Sequence, residues 1–274
     1  MTGVDLAIVV GLVYDGAGGP PVRADVLVSG GRIVDIRPAT PGDPAGAAGD
    51  PAFPLIDATG LAVCPGFIDI HSHSDKSLLI NPLAESKIRQ GVTTEVIGNC
   101  GHSLAPLTAN NSAAMLGEFE RHDADLEWST PGEYLDRLDA VGTSVNVVAL
   151  VGHGAVRSAV MGLEMRRPSA QEMALMKDLV RQAMDDGFAG LSSGLIYPPG
   201  AYATTGELVE LAREAARYGG IYASHVRGER EQVLDAVSEA IEIGRLSGAA
   251  VQVSHLKAAG KPNWGKASRV LSMI

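Results

Sequence analysis

Residues 61–75 read LAVCPGFIDIHSHSD, and this stretch decides the fold. The apolar run 67–70 follows the turn pair Pro65-Gly66, which predicts a short buried strand. Side chains alternate along a strand, so His71 and His73, which follow the run, share one face. Two imidazoles at a strand end can hold one metal ion, and imidazole suits zinc. A lone H-x-H is equally compatible with two polar residues that cap a strand.

Beyond residue 75 the sequence alternates between helix and strand patterns. Capping residues and apolar spacing predict helices near 82–90, 130–140, 169–186, 204–218, 231–246 and 267–274. Short apolar runs predict strands at 93–98, 145–151, 189–195, 221–224 and 249–254. Together with the run 67–70 this makes six strands separated by helices, which indicates an α/β fold with a parallel sheet and helices outside it.

Further candidate ligands follow other strands of this series. Cys100 comes after the second strand, His225 after the fifth and His255 after the sixth. In a parallel barrel the carboxyl ends of all strands meet at one mouth, where such barrels place their active sites. We therefore expect these three residues to converge with His71 and His73 on a metal site.

The first 60 residues have a different pattern, of short strands without intervening helices. Gly30-Gly31 separates two of these strands and predicts a two-residue hairpin. Residues 38–54 are rich in Pro, Gly and Ala and predict a surface loop or linker. We expect two domains: a small β domain at 1–60 and a barrel at 61–274.

Composition excludes several classes of function. The 274 residues carry a net charge of −10, which argues against a nucleic-acid partner. No apolar run approaches the ~20 residues of a membrane span, and residues 1–13 show no signal peptide. The two cysteines, Cys64 and Cys100, form no disulfide framework, so we expect a reducing cytoplasm. Cys64 lies in an apolar context that predicts packing, whereas His102 and His122 lie in polar sequence that predicts exposure.

The string PGFIDIHSHSD resembles the first barrel strand of the amidohydrolase superfamily, metal-dependent hydrolases built on a (β/α)₈ TIM-type barrel. Within it, four motifs resemble the N-acyl-D-amino-acid deacylases: G-N-C-G at 98–101, S-S-G-L-x-Y at 192–197, S-H-V-R-G-E at 224–229 and S-H-L-K at 254–257, followed by N-W-G at 263–265. The fourth strand, AGLSSGL, carries no lysine of the kind that bridges two metals in other members.

The resemblance implies zinc as cofactor and a small N-acyl-D-amino acid as substrate, hydrolysed to a carboxylate and a D-amino acid. It implies that Cys100, His225 and His255 hold the tightly bound zinc. His71 and His73 would form a weaker neighbouring site that shares Cys100.

Other polar residues at the mouth are candidates for substrate binding or for support of the ligands. Lys257, two residues beyond His255, is the candidate clamp for the substrate carboxylate, and Tyr197 a hydrogen-bond donor beside it. His153, between two glycines after the third strand, is a candidate substrate contact or supporting residue. Arg227 and Glu229 are expected to form an ion pair that orients His225.

One feature of the superfamily has no counterpart in this sequence. Its catalytic aspartate follows the eighth strand, whereas residues 61–274 number 214 and a complete barrel takes roughly 250. The sequence thus predicts a barrel truncated after about six strands, an N-terminal fragment with weak or no activity. Two alternatives remain: an amidohydrolase that acts on cyclic amides, as dihydroorotases and hydantoinases do, and a truncated barrel without turnover. Oligomeric state is not predicted.

Overall fold

The structure, a computed structural model, describes residues 3–39, 53–113 and 127–274. The chain divides into two compact units, Met1–Gly66 and Phe67–Ile274. The division falls six residues after the expected one because Ala62–Val63 pairs with a strand of the first unit. Most of the predicted loop 38–54 and His122 lie outside the described residues.

The first unit is a five-stranded sheet. Its strands are β1 (Leu6–Val13), β2 (Val22–Ser29), β3 (Arg32–Pro38), β4 (Leu55–Asp57) and β5 (Ala62–Val63). β1 and β2 are antiparallel, as are β2 and β3, whereas β4 and β5 run parallel to β1. Gly30 and Gly31 have φ of 56° and 71°, the left-handed conformation that a two-residue hairpin requires. The predicted hairpin is therefore confirmed.

The second unit alternates strands and helices. Its strands are β6 (Phe67–Asp69), β7 (Val92–Ile97), β8 (Asn146–Ala149), β9 (Val151–Gly152), β10 (Gly190–Gly194), β11 (Ile221–His225) and β12 (Ala250–Val253). Its α-helices are α1 (Ser77–Ile80), α2 (Glu85–Ile88), α3 (Pro131–Val141), α4 (His153–Met161), α5 (Ala170–Asp185), α6 (Thr205–Ala216), α7 (Val233–Ser247) and α8 (Ala267–Met273).

All strand pairs of the second unit are parallel and follow chain order. One sheet has the order β6-β7-β8 and the other β9-β10-β11-β12. Only Leu150 separates β8 from β9, and its N–H donates to the carbonyl of Ile97, so the third predicted strand is one run with a break. Six consecutive parallel strands with intervening helices confirm the predicted α/β class.

Helix starts were predictable where side chains cap the backbone. Thr130 with Glu133 opens α3, and Ser169 with Glu172 opens α5, each as a complete capping box. The apolar stripe of α5 faces the core, where Met176, Val180 and Met184 are buried. The methionines of this helix are therefore core residues.

The helix predicted at 82–90 is wrong. Within that range only the four-residue helix α2 forms, because Ala84, which precedes it, has a left-handed φ of 43°; α1 ends at Ile80, before the range begins. The side chain of Asn81 donates to Glu85 instead of capping a longer helix.

Burial was wrongly predicted for the first strand and for Cys64. Phe67 and Ile68 keep 58% and 62% of their surface exposed, because β6 pairs only with β7 within the described residues. Cys64 is exposed instead of packed. No helix in the described parts of the chain combines the length and apolar character that crossing a bilayer would require.

Candidate metal centre

A tight turn after β7 carries Cys100. The thiol is buried, and its backbone has a φ of 54°, which is uncommon for a residue other than glycine. Gly98 and Gly101 flank the turn with φ of 75° and 77°. A Cβ at Gly98 would lie 1.8 Å from the carbonyl oxygen of Leu150, so only glycine fits there. The glycines of the G-N-C-G motif therefore allow the tight turn that fixes the position of the Cys100 thiol.

Three imidazoles surround this thiol. Its Sγ lies 3.4 Å from Nε2 of His71, 3.4 Å from Nδ1 of His225 and 3.6 Å from Nε2 of His255. The ligand atoms of Cys100, His225 and His255 all lie within 4.8 Å of one another. Strands β7, β11 and β12 deliver the three residues to the same mouth, as expected for parallel strands.

His71 and His73 form a second group with the same thiol. They lie beyond Asp69, the last residue of β6, with ring centroids 5.2 Å apart. Their ligand atoms and that of Cys100 also fall within 4.8 Å of one another. The structure thus brings all five expected ligands together, with Cys100 common to both groups.

The electrostatics of the cluster suit a cation at its centre. Burial, with the neighbouring imidazole of His255, lowers the pKa of both His71 and His225 to about 4. Burial also lowers the pKa of His73. These imidazoles are neutral at pH 7 and offer lone pairs. Burial raises the pKa of the Cys100 thiol to about 11, so in the protein alone the proton stays on sulfur.

A zinc ion fits this donor set. Bonds of about 2.3 Å to sulfur and about 2.0–2.1 Å to nitrogen, at a tetrahedral angle, place S and N about 3.5–3.6 Å apart. The three observed separations are 3.4–3.6 Å. The thiol can donate only one hydrogen bond and its sulfur is a weak acceptor, so a shared metal ion accounts for three imidazole contacts better than hydrogen bonds alone. Bound zinc would also keep the sulfur as thiolate.

Glu229 and Lys257 lie behind the imidazoles. Oε1 of Glu229 is 3.5 Å from Nε2 of His225 and 3.3 Å from Nδ1 of His255, the ring nitrogens that face away from Cys100. Nζ of Lys257 is 2.6 Å from the same oxygen and 3.2 Å from Nδ1 of His255. A carboxylate behind a metal-binding imidazole fixes its tautomer and orientation.

The expected ion pair between Arg227 and Glu229 does not form. The guanidinium of Arg227 instead binds the carboxylate of Glu239 on α7, with nitrogen–oxygen distances of 2.9 and 3.0 Å. It also donates to the carbonyls of Ala201 and Ala203. Arg227 therefore fastens the loop after β11 to neighbouring elements, and of the expected pair only Glu229 faces the histidines.

His153 is not placed to touch a substrate. Its side chain is fully buried, and Nε2 lies 2.9 Å from Oε1 of Glu207 on α6. Arg157 is equally buried and donates to both oxygens of that carboxylate, at 2.8 and 2.9 Å. His153 is thus part of a buried trio with Arg157 and Glu207, which the sequence motif did not reveal.

Tyr197 lies beside the cluster and borders a cavity of about 260 Å³. Its ring is 5.0 Å from that of His225 and 6.0 Å from that of His102. Cys100 lines the same cavity, and no Asp, Glu, Lys or Arg is among the described residues that line it. His102 is exposed as expected, yet it faces this cavity, which its polar context did not indicate.

A buried carboxylate that the sequence reasoning missed supports the H-x-H segment. Glu95 on β7 has no exposed surface and accepts hydrogen bonds from the hydroxyls of Ser72, at 2.6 Å, and Ser74. Nζ of Lys87 lies 3.6 Å from Glu95 and 2.5 Å from Asp69. The sequence signal for this buried carboxylate was Glu95 itself, the single charged residue in the otherwise uncharged strand β7.

The other acid of the motif, Asp75, is committed to the backbone. Its Oδ1 accepts from the N–H of Gly98 at 2.8 Å, and its carbonyl accepts from the hydroxyl of Tyr134. Burial raises the pKa of Asp75 to about 7. Neither Asp69 nor Asp75 is free to serve as an acid or base at the mouth.

Comparison with known proteins places this cluster in context. Residues 55–257 match the family described as "Amidohydrolase family". A D-aminoacylase of Alcaligenes xylosoxydans xylosoxydans is 42% identical over 270 residues, which cover 98% of this chain and 54% of that protein. An N-acyl-D-glutamate deacylase of the same organism is 42% identical over 275 residues, covering 99% and 54%. The chain thus spans about half the length of the curated relatives it matches.

Solved structures agree in fold. The N-acyl-D-glutamate deacylase of Bordetella bronchiseptica, solved with zinc and a phosphonate inhibitor, superposes with a TM-score of 0.87 at 39% identity, covering 99% of this chain and 55% of that one. A D-aminoacylase structure gives a TM-score of 0.88 at 38% identity, with the same coverage. An L-hydantoinase from Arthrobacter aurescens shares only the fold, at a TM-score of 0.58 and 19% identity.

Proposed function

Because the chain belongs to the amidohydrolase family, we propose that it carries the metal centre of a zinc-dependent hydrolase that cleaves N-acyl-D-amino acids to a carboxylate and a free D-amino acid. The observation that carries this proposal is the convergence of Cys100, His225 and His255 from three separate strands. Relatives of about 40% identity that act on D-amino-acid derivatives support the substrate class. Hydantoinases share the fold only, so the cyclic-amide alternative has less support.

The residues around the cluster would have different roles in such a reaction. Bound zinc supplies a Lewis acid that polarises the amide carbonyl and lowers the pKa of bound water. Lys257 would bind the substrate carboxylate, and its partial exposure leaves it reachable. Tyr197, beside His225, would donate a hydrogen bond to the bound substrate. Glu229 would hold His225 and His255 in the orientation that faces Cys100.

The reaction also needs a general base that the described residues do not provide. In the resembled family an aspartate after the eighth strand has this role, and we propose that such a residue, together with strands that close the barrel, is needed for full turnover. Asp69 binds Lys87 and Asp75 binds the backbone of Gly98, so neither is available. We expect the 274-residue chain to be weakly active or inactive compared with a chain extended to the length of its relatives.

The zinc centre also bears on the compartment. Both described cysteines are free, and a ligand thiol must stay reduced. We propose a reducing compartment, the cytoplasm, for the protein.

Zinc content tests the proposal first. We expect about one tightly held zinc per chain after dialysis, and loss of that zinc in Cys100→Ala. Cys64→Ala, which removes the exposed cysteine, is the matched control and should keep the zinc. The extended chain should then release the free amino acid from N-acyl-D-amino acids in preference to their L-enantiomers. No zinc in a folded wild-type chain, or equal turnover of both enantiomers, contradicts the proposal.

A further inference from the structure

Ser192 holds the turn that carries Cys100 from both sides. It lies on β10 and has no exposed surface. Its Oγ accepts a hydrogen bond from the backbone N–H of Gly101 at 3.0 Å and donates one to the carbonyl of Gly98. One hydroxyl thus closes the turn on either side of the cysteine.

The turn needs such a brace because its backbone is unusual. Gly98, Cys100 and Gly101 all have positive φ, a conformation that residues other than glycine rarely adopt. Such conformations persist where surrounding contacts over-determine them. Without Ser192, the N–H of Gly101 and the carbonyl of Gly98 lose the partner that ties both to β10.

We propose that Ser192 is a positioning residue for Cys100: its hydroxyl sets the direction of the thiol toward the metal and so raises metal affinity. This inference rests on the proposed zinc centre. It also assigns a role to β10, whose residues GLSSG include no metal-ligating side chain. The strand contributes a hydroxyl that fixes a ligand carried by the turn after β7.

The adjacent Ser193 provides a matched control. It is equally buried, but as the next residue of the strand it points to the opposite face. Its Oγ bonds the hydroxyl of Tyr222 at 2.7 Å and lies 3.4 Å from that of Ser224. Removal of either serine hydroxyl costs buried hydrogen bonds. Only the hydrogen bonds of Ser192 are made to the turn that carries Cys100.

Cobalt(II) reports the position of the thiolate directly, because a cobalt–thiolate bond absorbs in the near ultraviolet. We would titrate the wild-type chain, Ser192→Ala and Ser193→Ala with Co²⁺ and follow this band and the visible bands. Ser192→Ala should lower Co²⁺ affinity about 10- to 100-fold, the usual effect of losing a residue that orients a ligand, and should weaken the thiolate band. Ser193→Ala should bind Co²⁺ as the wild type does.

A double-mutant cycle separates positioning from general destabilisation. Cys100→Ala should lose tight binding but keep a weaker Co²⁺ affinity from the remaining histidines, and if Ser192 acts through Cys100, Ser192→Ala should not lower this residual affinity further. Thermal unfolding without metal would measure the stability of each variant. Ser192→Thr and Ser192→Val form a second pair of nearly equal shape, of which only threonine keeps the hydroxyl. Threonine should retain more affinity, and this pair decides the question if Ser192→Ala does not fold.

The outcomes are distinct. Equal affinity and spectrum in Ser192→Ala and wild type, an additive cycle, or equal affinity in the threonine and valine variants would overturn the role of Ser192 while leaving the proposed function intact. A folded wild-type chain that gives no thiolate band with Co²⁺ would instead overturn the metal centre, and the role of Ser192 with it.

Discussion

The ammonium of Lys257 lies 2.6 Å from Oε1 of Glu229, and the same oxygen faces a ring nitrogen of His225 and of His255. One carboxylate thus connects the candidate substrate clamp with two candidate zinc ligands. Its charge favours a proton on the ring nitrogens that face it, which leaves lone pairs on the opposite nitrogens that point at Cys100. Occupation of the metal site and binding at Lys257 are therefore expected to depend on the same residue.

We predict that Glu229→Gln weakens zinc binding by about 10-fold or more, because a neutral amide holds the two imidazoles less firmly. Competition with a chelating dye measures this affinity. Glu231→Gln is the matched control: this exposed glutamate and Glu229 both line a second cavity, together with Lys257. If both variants hold zinc as the wild type does, the carboxylate of Glu229 has no supporting role.

A second prediction concerns the buried carboxylate beneath the H-x-H segment. Glu95→Gln places an amide against Ser72 and Ser74 and removes the charge near Lys87. We expect the free energy of unfolding to fall by about 1–3 kcal/mol, the usual effect of an imperfectly satisfied buried group. Chemical denaturation measures the loss, and Glu164→Gln, whose side chain is 61% exposed, is the control. Equal losses of unfolding free energy in Glu95→Gln and Glu164→Gln would show that the buried hydrogen bonds of Glu95 add no stability of their own.

A third prediction concerns pH. Hydrogen bonds from Arg166 and from the backbone N–H of Ser169 lower the pKa of Glu172 from 4.5 to about 2. A depressed pKa in the folded state contributes stability above the unfolded pKa, and this contribution is lost as pH falls through the folded value. The difference in melting temperature between wild type and Glu172→Gln should be full above pH 4.5 and shrink toward pH 2.

Melting curves recorded at about pH 7, 5, 4 and 3 would check this prediction across the range between the unfolded and folded pKa values of Glu172. Thr204→Ala is the control, because its hydroxyl caps α6 by accepting from the N–H of Glu207 and does not contact Glu172; its removal costs about 1 kcal/mol at neutral pH. A difference for Glu172→Gln that stays constant down to pH 3 would contradict the assigned pKa.

Sequence position was enough to find the residues that converge at the mouth. His71, Cys100, His225 and His255 each follow a parallel strand, and a strand end fixes where a side chain lies without knowledge of its neighbours. The two capping boxes were predictable for a similar reason, since Thr130 and Ser169 act within one helical turn. Both the convergence of these residues and the capping boxes could therefore be predicted from local sequence.

Partners contributed by distant helices were not predictable. Arg227 pairs with Glu239 and His153 with Glu207, and each choice depends on which helix packs above which strand. The late start of α2 has a different cause, since nothing in the local sequence requires the left-handed backbone of Ala84 that delays the predicted helix to Glu85. Propensity alone favours one continuous helix there.

The buried trio of His153, Arg157 and Glu207 gives the last prediction. Glu207→Gln leaves the guanidinium of Arg157, which has no exposed surface, without a counter-charge. Removal of one partner from a buried ion pair costs about 3–5 kcal/mol, so the variant should unfold at much lower denaturant concentration. Glu242→Gln, which removes a carboxylate from the exposed pair with Arg245, should change the free energy of unfolding by less than about 1 kcal/mol.

Zinc content per folded chain should be unchanged in both variants, because the trio has no place among the ligands. A Glu207→Gln variant of wild-type stability that binds less substrate would instead return His153 to the role of substrate contact that its position after the third strand had suggested.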